Sequence, residues 1–242
     1  MEKLDTLKGN FDFIVPTVVP SFVKGQDAKT LLDKVSKTIK SGIWYDADSR
    51  TIKGSNSFLN AVINTEVRPL GIRVVNLRDL SRPEVMKMIE GNHYSDTPAI
   101  VFRTMEDGYE QNNLLIKKLA QQVEHLNGKL QLPVLVTGFD VVPSEDKKGY
   151  GLEIVPRDDF AALHDERLSG KYDSKRFSNI DENGLPIFDK NGSRTWHTRN
   201  EGLSGFCLNR GLNLGYYGGD LAYSDWSGRV VLVRDVACEG KK

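Results

Sequence analysis

The segment Gly202–Val233 reads GLSGFCLNRGLNLGYYGGDLAYSDWSGRVVLV, and it joins two compositions that seldom occur together. One is an apolar skeleton of five leucines, namely Leu203, Leu208, Leu212, Leu214 and Leu221. The residues between the leucines have the composition of an antibody paratope. There, aromatic side chains supply contact area and small polar residues supply adaptable hydrogen bonds. We therefore predict a display surface held on a fixed frame, rather than a catalytic pocket.

The positions between the leucines are the expected ligand-binding residues. They are Phe206, Cys207, Asn209, Arg210, Gly211, Asn213, Gly215, Tyr216, Tyr217, Gly218, Gly219, Asp220, Tyr223, Asp225, Trp226 and Ser227. Because aromatic side chains dominate binding hot spots, the expected energetic anchors are Tyr216, Tyr217, Tyr223 and Trp226. The alternative is a glycine-rich loop packed beneath the domain. It is disfavoured because buried polar groups need hydrogen-bond partners, which so mixed a composition does not supply easily.

Charge, length and the N-terminal sequence exclude several classes of protein. A chain of 242 residues can bury a substantial core, and its 33 basic residues balance 33 acidic ones. The chain therefore has no net positive charge that would favour binding of nucleic acid. No stretch approaches the roughly 20 apolar residues of a membrane-spanning helix. The start, MEKLDTLKGNFDF, lacks the pattern of a secretory signal. We expect neither a nucleic-acid partner nor a membrane span.

The first fifty residues are interpreted as an N-terminal segment with a helix and a hairpin. FDFIV at residues 11–15 precedes a proline, a pattern typical of an edge strand or an extended arm. Asp27 is the expected N-cap of a helix whose apolar positions are Ala28, Leu31, Leu32, Val35 and Ile39. The strands of the hairpin would be Ile43–Tyr45 and Arg50–Lys53. Residues 51–242 are assigned to one main domain.

The first part of this domain alternates between helix and strand patterns. The predicted helices are Ser57–Val62, a short one that begins at a capping box of Ser81 and Glu84, and Tyr109–Leu126. The predicted strands are Gly71–Leu77, Ala99–Arg103, Pro133–Val142 and Tyr150–Val155. Residues 158–200 are rich in turn-forming residues and show no apolar period, so an irregular region is predicted there. With a last strand at Arg229–Arg234, the pattern indicates a mixed α+β fold.

Candidate metal and catalytic residues are few. The stretch Asp46–Ser49 begins like a calcium loop, but Ser57 stands where a bidentate glutamate is required, so a hairpin turn is favoured. The four histidines show no metal-ligand spacing. A thiol–imidazole pair of Cys207 with His197, and acid–base chemistry at His164-Asp165-Glu166, remain alternatives to ordinary structural roles. We predict no metal, no cofactor and no catalytic residue.

The segment Gly202–Val233 is called the display segment. The residues that precede it and the apolar positions within it carry a family resemblance. The matching residues are Asp181–Gly205 (DENGLPIFDKNGSRTWHTRNEGLSG), Leu208, Leu212, Leu214, Leu221-Ala222, Ser224 and Gly228–Val233. Together they resemble the variable proteins of diversity-generating retroelements, which display a hypervariable surface on a C-type lectin fold. The resemblance is strong from Arg176 to Val233 and weaker back to residue 51. It implies a C-type lectin-like domain with a variable region at residues 206–227. The fixed apolar residues would hold the fold, while the intervening side chains would face solvent.

The genetic code is consistent with this resemblance. In such elements a reverse transcriptase copies a template with errors at adenines, and the copy is written into the variable gene. A template codon AAC or AAT, changed at its first two positions, yields Phe, Cys, Asn, Arg, Gly, Tyr, Asp and Ser without creating a stop codon. These residue types fill nearly all of the expected binding positions. Trp226 departs from the pattern, because its codon needs a template such as AAG or AGG.

The resemblance implies a non-enzymatic display protein that binds an unknown protein or glycan on a host or neighbouring cell. A virion or cell-surface location would suit that role. One alternative is an enzyme of the formylglycine-generating type, which shares the fold superfamily and needs a cysteine pair or metal-bound thiolates. Cys207 and Cys238 are the only cysteines in the chain. A structural virion protein is a further alternative.

Overall fold

In the computed structural model, the described residues are 21–40, 42–146, 149–170, 175–215 and 218–234. They form a mixed α+β fold, which confirms the predicted class. The α-helices are α1 (Gly25–Val35), α2 (Ser57–Val67), α3 (Pro83–Ile89) and α4 (Glu110–Asn127). The strand or arm expected at residues 11–15 lies outside the described residues.

The strands are distributed along the whole described chain. Those before residue 170 are β1 (Ser21–Phe22), β2 (Trp44–Asp46), β3 (Thr51–Lys53), β4 (Ile72–Val74), β5 (Ser95–Asp96), β6 (Ile100–Phe102), β7 (Val134–Pro143) and β8 (Leu152–His164). Those after it are β9 (Lys175–Ile180), β10 (Pro186–Phe188), β11 (Arg194–His197), β12 (Leu203–Ser204), β13 (Cys207–Leu208), β14 (Leu214–Gly215) and β15 (Val231–Arg234).

The prediction of an irregular region at residues 158–200 is wrong. The region contains the end of β8 and the strands β9, β10 and β11. These strands were missed because they carry little apolar signal. In β9, for example, Phe177 is the one buried residue of its six, and the remaining residues are partly or fully exposed. A strand that buries so few side chains shows no clean alternation in its sequence.

The helix ends differ in detail from the predicted capping residues. Asp27 lies inside the first turn of α1, whose N-cap is Lys24. The expected capping box is also wrong, because the N-cap of α3 is Arg82 and the Ser81 hydroxyl instead accepts a hydrogen bond from Arg194 at 2.8 Å. By contrast, α4 matches its prediction within one residue at each end, because its apolar residues recur on one buried face.

The C-terminal strand β15 is the centre of a three-stranded antiparallel sheet in the order β1-β15-β4. Leu232 is the register partner of Ser21 on one side and of Val74 on the other. Val231, Leu232 and Val233 are all buried, as expected for a central strand covered on both faces. The predicted last strand is therefore confirmed, although it begins at Val231 rather than Arg229.

Two larger sheets surround the segment of interest. A four-stranded sheet has the order β12-β6-β7-β8, and its long β7–β8 ladder is interrupted by a bulge next to Gly138. A six-stranded sheet has the order β10-β9-β11-β14-β13-β5. Strands from Leu203 to Gly215 contribute to both, so the display segment is part of the fold and not an appendage.

A single apolar cluster fills the space between these elements. It includes Leu31 and Val35 from α1, Phe58 from α2 and Val233 from β15, so residues before position 50 share the core of the remaining chain. Among the helices of the described ranges, none has the length and apolar character needed to cross a membrane.

Candidate functional site

The display segment is anchored by strand pairing at several points. Strand β12 pairs with β6, and β13 lies between β5 and β14. Strand β14 also pairs in parallel with β11, through Leu214 opposite Trp196. Four of the five skeletal leucines are buried, namely Leu203, Leu208, Leu214 and Leu221. Leu212 is half-buried and adopts a left-handed backbone with φ of 61°, at the turn between β13 and β14.

Of the fourteen expected binding residues that the structure describes, three are not at the surface. The expectation that they face solvent is wrong for Phe206, Cys207 and Gly215, all of which are buried. The Phe206 ring packs against Trp196, with 5.3 Å between ring centroids. The Cys207 thiol donates to the Gly215 carbonyl at 3.1 Å. Gly215 has φ of 109°, and a Cβ there would overlap the His197 carbonyl, so the backbone requires glycine.

The turn between β13 and β14, Asn209–Asn213, is called the tip loop. The Asn209 side-chain oxygen accepts from the backbone N–H of Gly211 at 2.9 Å and of Asn213 at 3.1 Å. The Asn213 side chain in turn accepts from Thr195 N–H at 2.8 Å. These two asparagines are half-buried and shape the turn, whereas Arg210 and Gly211 at its apex are exposed.

The stretch Gly218–Ser227 is called the aromatic loop. Tyr223 is 56% exposed and Trp226 is 73% exposed. The remaining expected binding residues here are half-buried, namely Gly218, Gly219, Asp220, Asp225 and Ser227. Tyr216 and Tyr217, which were also expected to bind ligand, lie outside the described residues.

Carboxylates organise the backbone of the aromatic loop. The Asp220 carboxylate accepts from Ala222 N–H at 2.9 Å and from the Tyr109 hydroxyl at 3.0 Å. The Asp225 carboxylate accepts from the N–H and the hydroxyl of Ser227, at 2.7 and 2.6 Å. Both aspartates were expected to be adaptable contact residues, and both instead form local turns that orient their neighbours.

Residues 91–94 hold the two loops side by side. Gly91 N–H donates to the Arg210 carbonyl at 2.9 Å, and Tyr94 N–H donates to the Ser227 carbonyl at 3.4 Å. Three residues of chain span at most about 10 Å. The tip loop and the aromatic loop therefore contact residues 91–94 at points no more than about 10 Å apart. The Tyr94 hydroxyl also accepts from Asp225 N–H at 3.0 Å, and burial raises the pKa of Tyr94. Nothing in the pattern of the sequence marked Tyr94 as a support of this surface.

A buried charge network supports the start of the display segment. Asp107 accepts from Leu203 N–H at 2.7 Å, from Asn112 Nδ2 at 2.6 Å and from an Arg199 guanidinium N–H at 3.3 Å. The Asp107 side chain is fully buried, and a Cβ at Gly202 would overlap its carboxylate. Asp107 was not identified from the sequence, because two of its partners, Leu203 and Arg199, lie more than 90 residues away along the chain.

Arg103 stands beside this network. Its guanidinium donates to the Leu168 carbonyl at 2.7 Å, to the Ser204 hydroxyl at 2.8 Å and to Thr198 Oγ1 at 3.2 Å. Burial, together with the nearby positive charge of Arg199, lowers the pKa of Arg103 to about 9. The base of the display segment is therefore built from buried, hydrogen-bonded charged groups.

Asp96 is a buried carboxyl group beneath the display segment. It lies on β5 opposite Cys207, and burial raises its pKa well above the usual value. Its Oδ2 has no hydrogen-bond partner among the described residues, and neither does the nearby Ser57 hydroxyl. Both side chains lie close to Gly205. A Cβ at that position would lie 2.6 Å from Ser57 Oγ and 3.4 Å from Asp96 Oδ1.

Replacing Asp96 by asparagine is expected to stabilise the protein, and increasingly so as the pH rises. Because its folded-state pKa is raised, folding retains a proton that the unfolded chain releases above pH 3.8. Stability contributed by Asp96 is therefore complete below that pH and is lost as the pH rises toward the folded-state pKa. The neutral variant lacks this dependence, and at neutral pH its gain should be about 1–3 kcal/mol. Urea unfolding of both proteins between pH 4 and 8 tests this, and equal slopes of stability against pH would contradict it.

The residues considered as metal ligands or as a thiol–imidazole pair do not lie together in a site. Strand β14 lies between the strands that carry Cys207 and His197, which places their backbones about 9–10 Å apart. Asp46 accepts from Ser49 Oγ at 2.5 Å and pairs with Lys53 at 3.0 Å, in the expected hairpin of β2 and β3. No group of three or more His, Cys, Asp or Glu residues that could hold a metal ion occurs within the described ranges.

The remaining acid–base candidates are occupied by neighbouring groups. His164 Nδ1 lies 3.0 Å from the Pro133 carbonyl, and its Nε2 lies 3.3 Å from Glu166. Asp165 accepts from Arg167 Nε at 2.8 Å, and this hydrogen bond lowers the pKa of the carboxyl group. These contacts describe an ion-paired turn at the end of β8.

The chain matches no protein-family model, and comparison with curated proteins and with solved structures likewise gives no match.

Proposed function

We propose that this chain is a ligand- or receptor-binding display protein with a C-type lectin-like fold. Its exposed C-terminal loops would be diversified by adenine-directed copying from a template repeat. The ligand would be a protein or glycan on a host or neighbouring cell, and presentation on a virion or cell surface would suit that role. The proposal is narrower than the sequence expectation, because Phe206, Cys207 and Gly215 are buried and belong to the frame.

The observation that carries the proposal is that exposed and inward-facing residues lie next to each other in the aromatic loop. Tyr223 and Trp226 project into solvent. Between them, Ser224 is fixed, because its hydroxyl accepts from Ser55 N–H at 2.6 Å and donates to the Ser55 carbonyl at 2.9 Å. Leu221 is buried. Leu221 and Ser224, which match the family's fixed positions, thus face inward, while Tyr223 and Trp226, which are expected to vary, face outward.

The exposed residues suit a contact surface for a macromolecule. Large exposed aromatic side chains beside a flexible cation such as Arg210 are the residue types enriched in binding hot spots. Their neighbours are held by backbone hydrogen bonds, so little conformational entropy would be lost from the loop backbone on binding. A rigid loop with replaceable side chains is the arrangement that diversification requires.

The buried thiol does not favour the enzyme alternative. Cys207 lies inside the sheet, and burial raises the pKa of its thiol well above the usual value. A reactive cysteine instead needs an accessible thiolate with a lowered pKa. The second cysteine, Cys238, lies outside the described residues. A structural role in a virion is compatible with the display function, because a particle is one carrier for such a surface.

Sequencing of the genomic locus tests the proposal directly. We expect a near-copy of the codons for residues 203–233 beside a reverse-transcriptase gene, with differences confined to adenines of the copy. Among related isolates, changes should concentrate at the exposed positions Arg210, Gly211, Tyr223 and Trp226, because these side chains can be replaced without repacking the core. Leu208 and Leu214 should stay constant. The absence of any such copy, or equal variation at the leucines, would refute diversification.

A further inference from the structure

A cavity of about 590 Å³ lies away from the display segment, and none of its lining residues belongs to residues 202–228. Its walls come from the end of α2, from β4 and the turn that follows it, and from the bulged part of the β7–β8 ladder. Its volume falls within the range of about 300–1,000 Å³ that is usual for small-molecule sites. This cavity is independent of the proposed display function.

The wall formed by β7 and β8 is shaped by the bulge. Thr137 pairs with Ala161 and Phe139 pairs with Pro156. The intervening residues 157–160 are therefore unpaired and form a bulge in β8 opposite Gly138. Two residues of this bulge, Arg157 and Asp159, line the cavity. Bulges of this kind occur preferentially beside functional sites, where they redirect side chains.

Most of the charge on the cavity wall is already neutralised. Asp159 accepts from Arg157 at 2.9 and 3.1 Å and from Arg68 at 3.3 Å, and hydrogen bonding to Arg157 lowers the pKa of this carboxyl group. Arg73 is bonded to Asp79. Asp159, the acidic residue that lines the cavity, is therefore engaged by arginines, and so is Asp79, which does not line it.

Three donor groups in the cavity have no acceptor among the described residues. Asn64 is only 6% exposed, and its Oδ1 accepts from Val74 N–H at 3.0 Å, which fixes its amide orientation and leaves Nδ2 free. Asn76 is oriented in the same way, because its Oδ1 accepts from Asp79 N–H at 3.2 Å. Arg78 is exposed and has no ion pair in the described part of the chain. The Asn183 amide and the Thr137 hydroxyl also line the cavity, so it offers more unsatisfied donors than acceptors.

We propose that this cavity binds a small anionic molecule, with its phosphate or carboxylate group against Asn64, Asn76 and Arg78. An anionic oxygen group accepts several hydrogen bonds and donates none, which complements a surplus of donors. A neutral sugar is a poorer complement, because its hydroxyls also need acceptors. The apolar side chains of Ile72, Leu135 and Leu163 line the same cavity and would contact a short apolar body attached to the anion.

Isothermal titration calorimetry with phenyl phosphate, benzoate and benzyl alcohol tests the proposal. Phenyl phosphate or benzoate, or both, should bind the full chain with a Kd below about 1 mM, a modest efficiency for ligands of this size. Benzyl alcohol should not bind measurably. Preference between the two anions identifies which oxygen group the site recognises. Failure of both anions, or equal binding of the neutral alcohol, overturns the proposal.

Two variants locate the anion. Arg78→Gln should weaken binding at least about tenfold, because a charged hydrogen bond is lost. Asn76→Asp keeps the acceptor for Asp79 N–H but places a negative oxygen where the free donor stands, so it should abolish binding. Both positions are exposed, and unchanged circular dichroism would show that the variants fold. Arg176→Gln on β9 is the matched control, since this exposed arginine does not line the cavity. Undiminished affinity in the two cavity variants would refute the assignment.

Discussion

Replacing Asp107 by alanine is expected to lower the free energy of unfolding by about 3–5 kcal/mol, the usual cost of removing one partner from a buried charge network. The variant would leave the Leu203 N–H without an acceptor. It would also remove one of the two acceptors of the Asn112 amide and the nearer of the two carboxylates that face the Arg199 guanidinium. Buried donors without an acceptor carry the full cost of their lost hydration. Urea unfolding monitored by circular dichroism measures the change.

Glu201→Ala is the matched control for this prediction. Glu201 faces the same guanidinium as Asp107, since Arg199 lies 3.7 Å from Glu201 and 3.3 Å from Asp107. The Glu201 side chain is 63% exposed, whereas that of Asp107 is fully buried. An exposed ion pair contributes about 0–1 kcal/mol, so the control should unfold almost like the parent protein. Similar losses in the two variants would show that burial of Asp107 does not determine its contribution.

Phe206→Ala is expected to destabilise the protein by about 3–5 kcal/mol, as is usual when a large buried aromatic side chain is removed. The ring is fully buried against Trp196, so its removal leaves a cavity that the surrounding β-sheet cannot fill. The expected signature is a lower midpoint of urea unfolding with an unchanged slope, because the surface exposed on unfolding is nearly the same.

The comparison variant is Trp226→Ala in the aromatic loop. Phe206 and Trp226 are both large aromatic residues of one segment, and composition assigned both to the binding surface. Trp226 is 73% exposed, so its replacement should change the free energy of unfolding by no more than about 0.5 kcal/mol. A large loss in Trp226→Ala, or none in Phe206→Ala, would contradict the division between frame and surface.

Elements with a strong apolar period were predictable from the sequence. Helix α4 and strand β15 were both identified, because each buries enough side chains to leave a periodic or continuous apolar pattern. The short strands β9 to β11 were not, because most of the residues of β9 and β10 stay partly or fully exposed and turn-forming residues separate these strands. Their pairing depends on partners distant in sequence, which a local pattern does not encode.

The candidate surface was predictable in composition but not in orientation. Tyr223 and Trp226 are exposed as expected. Phe206 belongs to the same class of residue, yet it points inward because β13 pairs on both sides and places its neighbours inside the sheet. The cavity between α2, β4 and the β7–β8 bulge had no signal in the sequence, because Asn64, Asn76 and Arg157 come together only through packing of distant elements.

The sequence alone determined the leucine and valine positions of the frame around the C-terminal segment. Leucine and valine recur at positions that exclude water, and burial of apolar side chains depends mainly on their chemical nature. Only the tertiary structure decided which aromatic and polar residues reach solvent and which become buried supports. That outcome depends on strand register and on partners such as Asp107, Tyr94 and Ser55, which hydrogen-bond to the segment from far along the chain. A side chain's direction is set by pairing geometry, and a one-residue shift of register would reverse it.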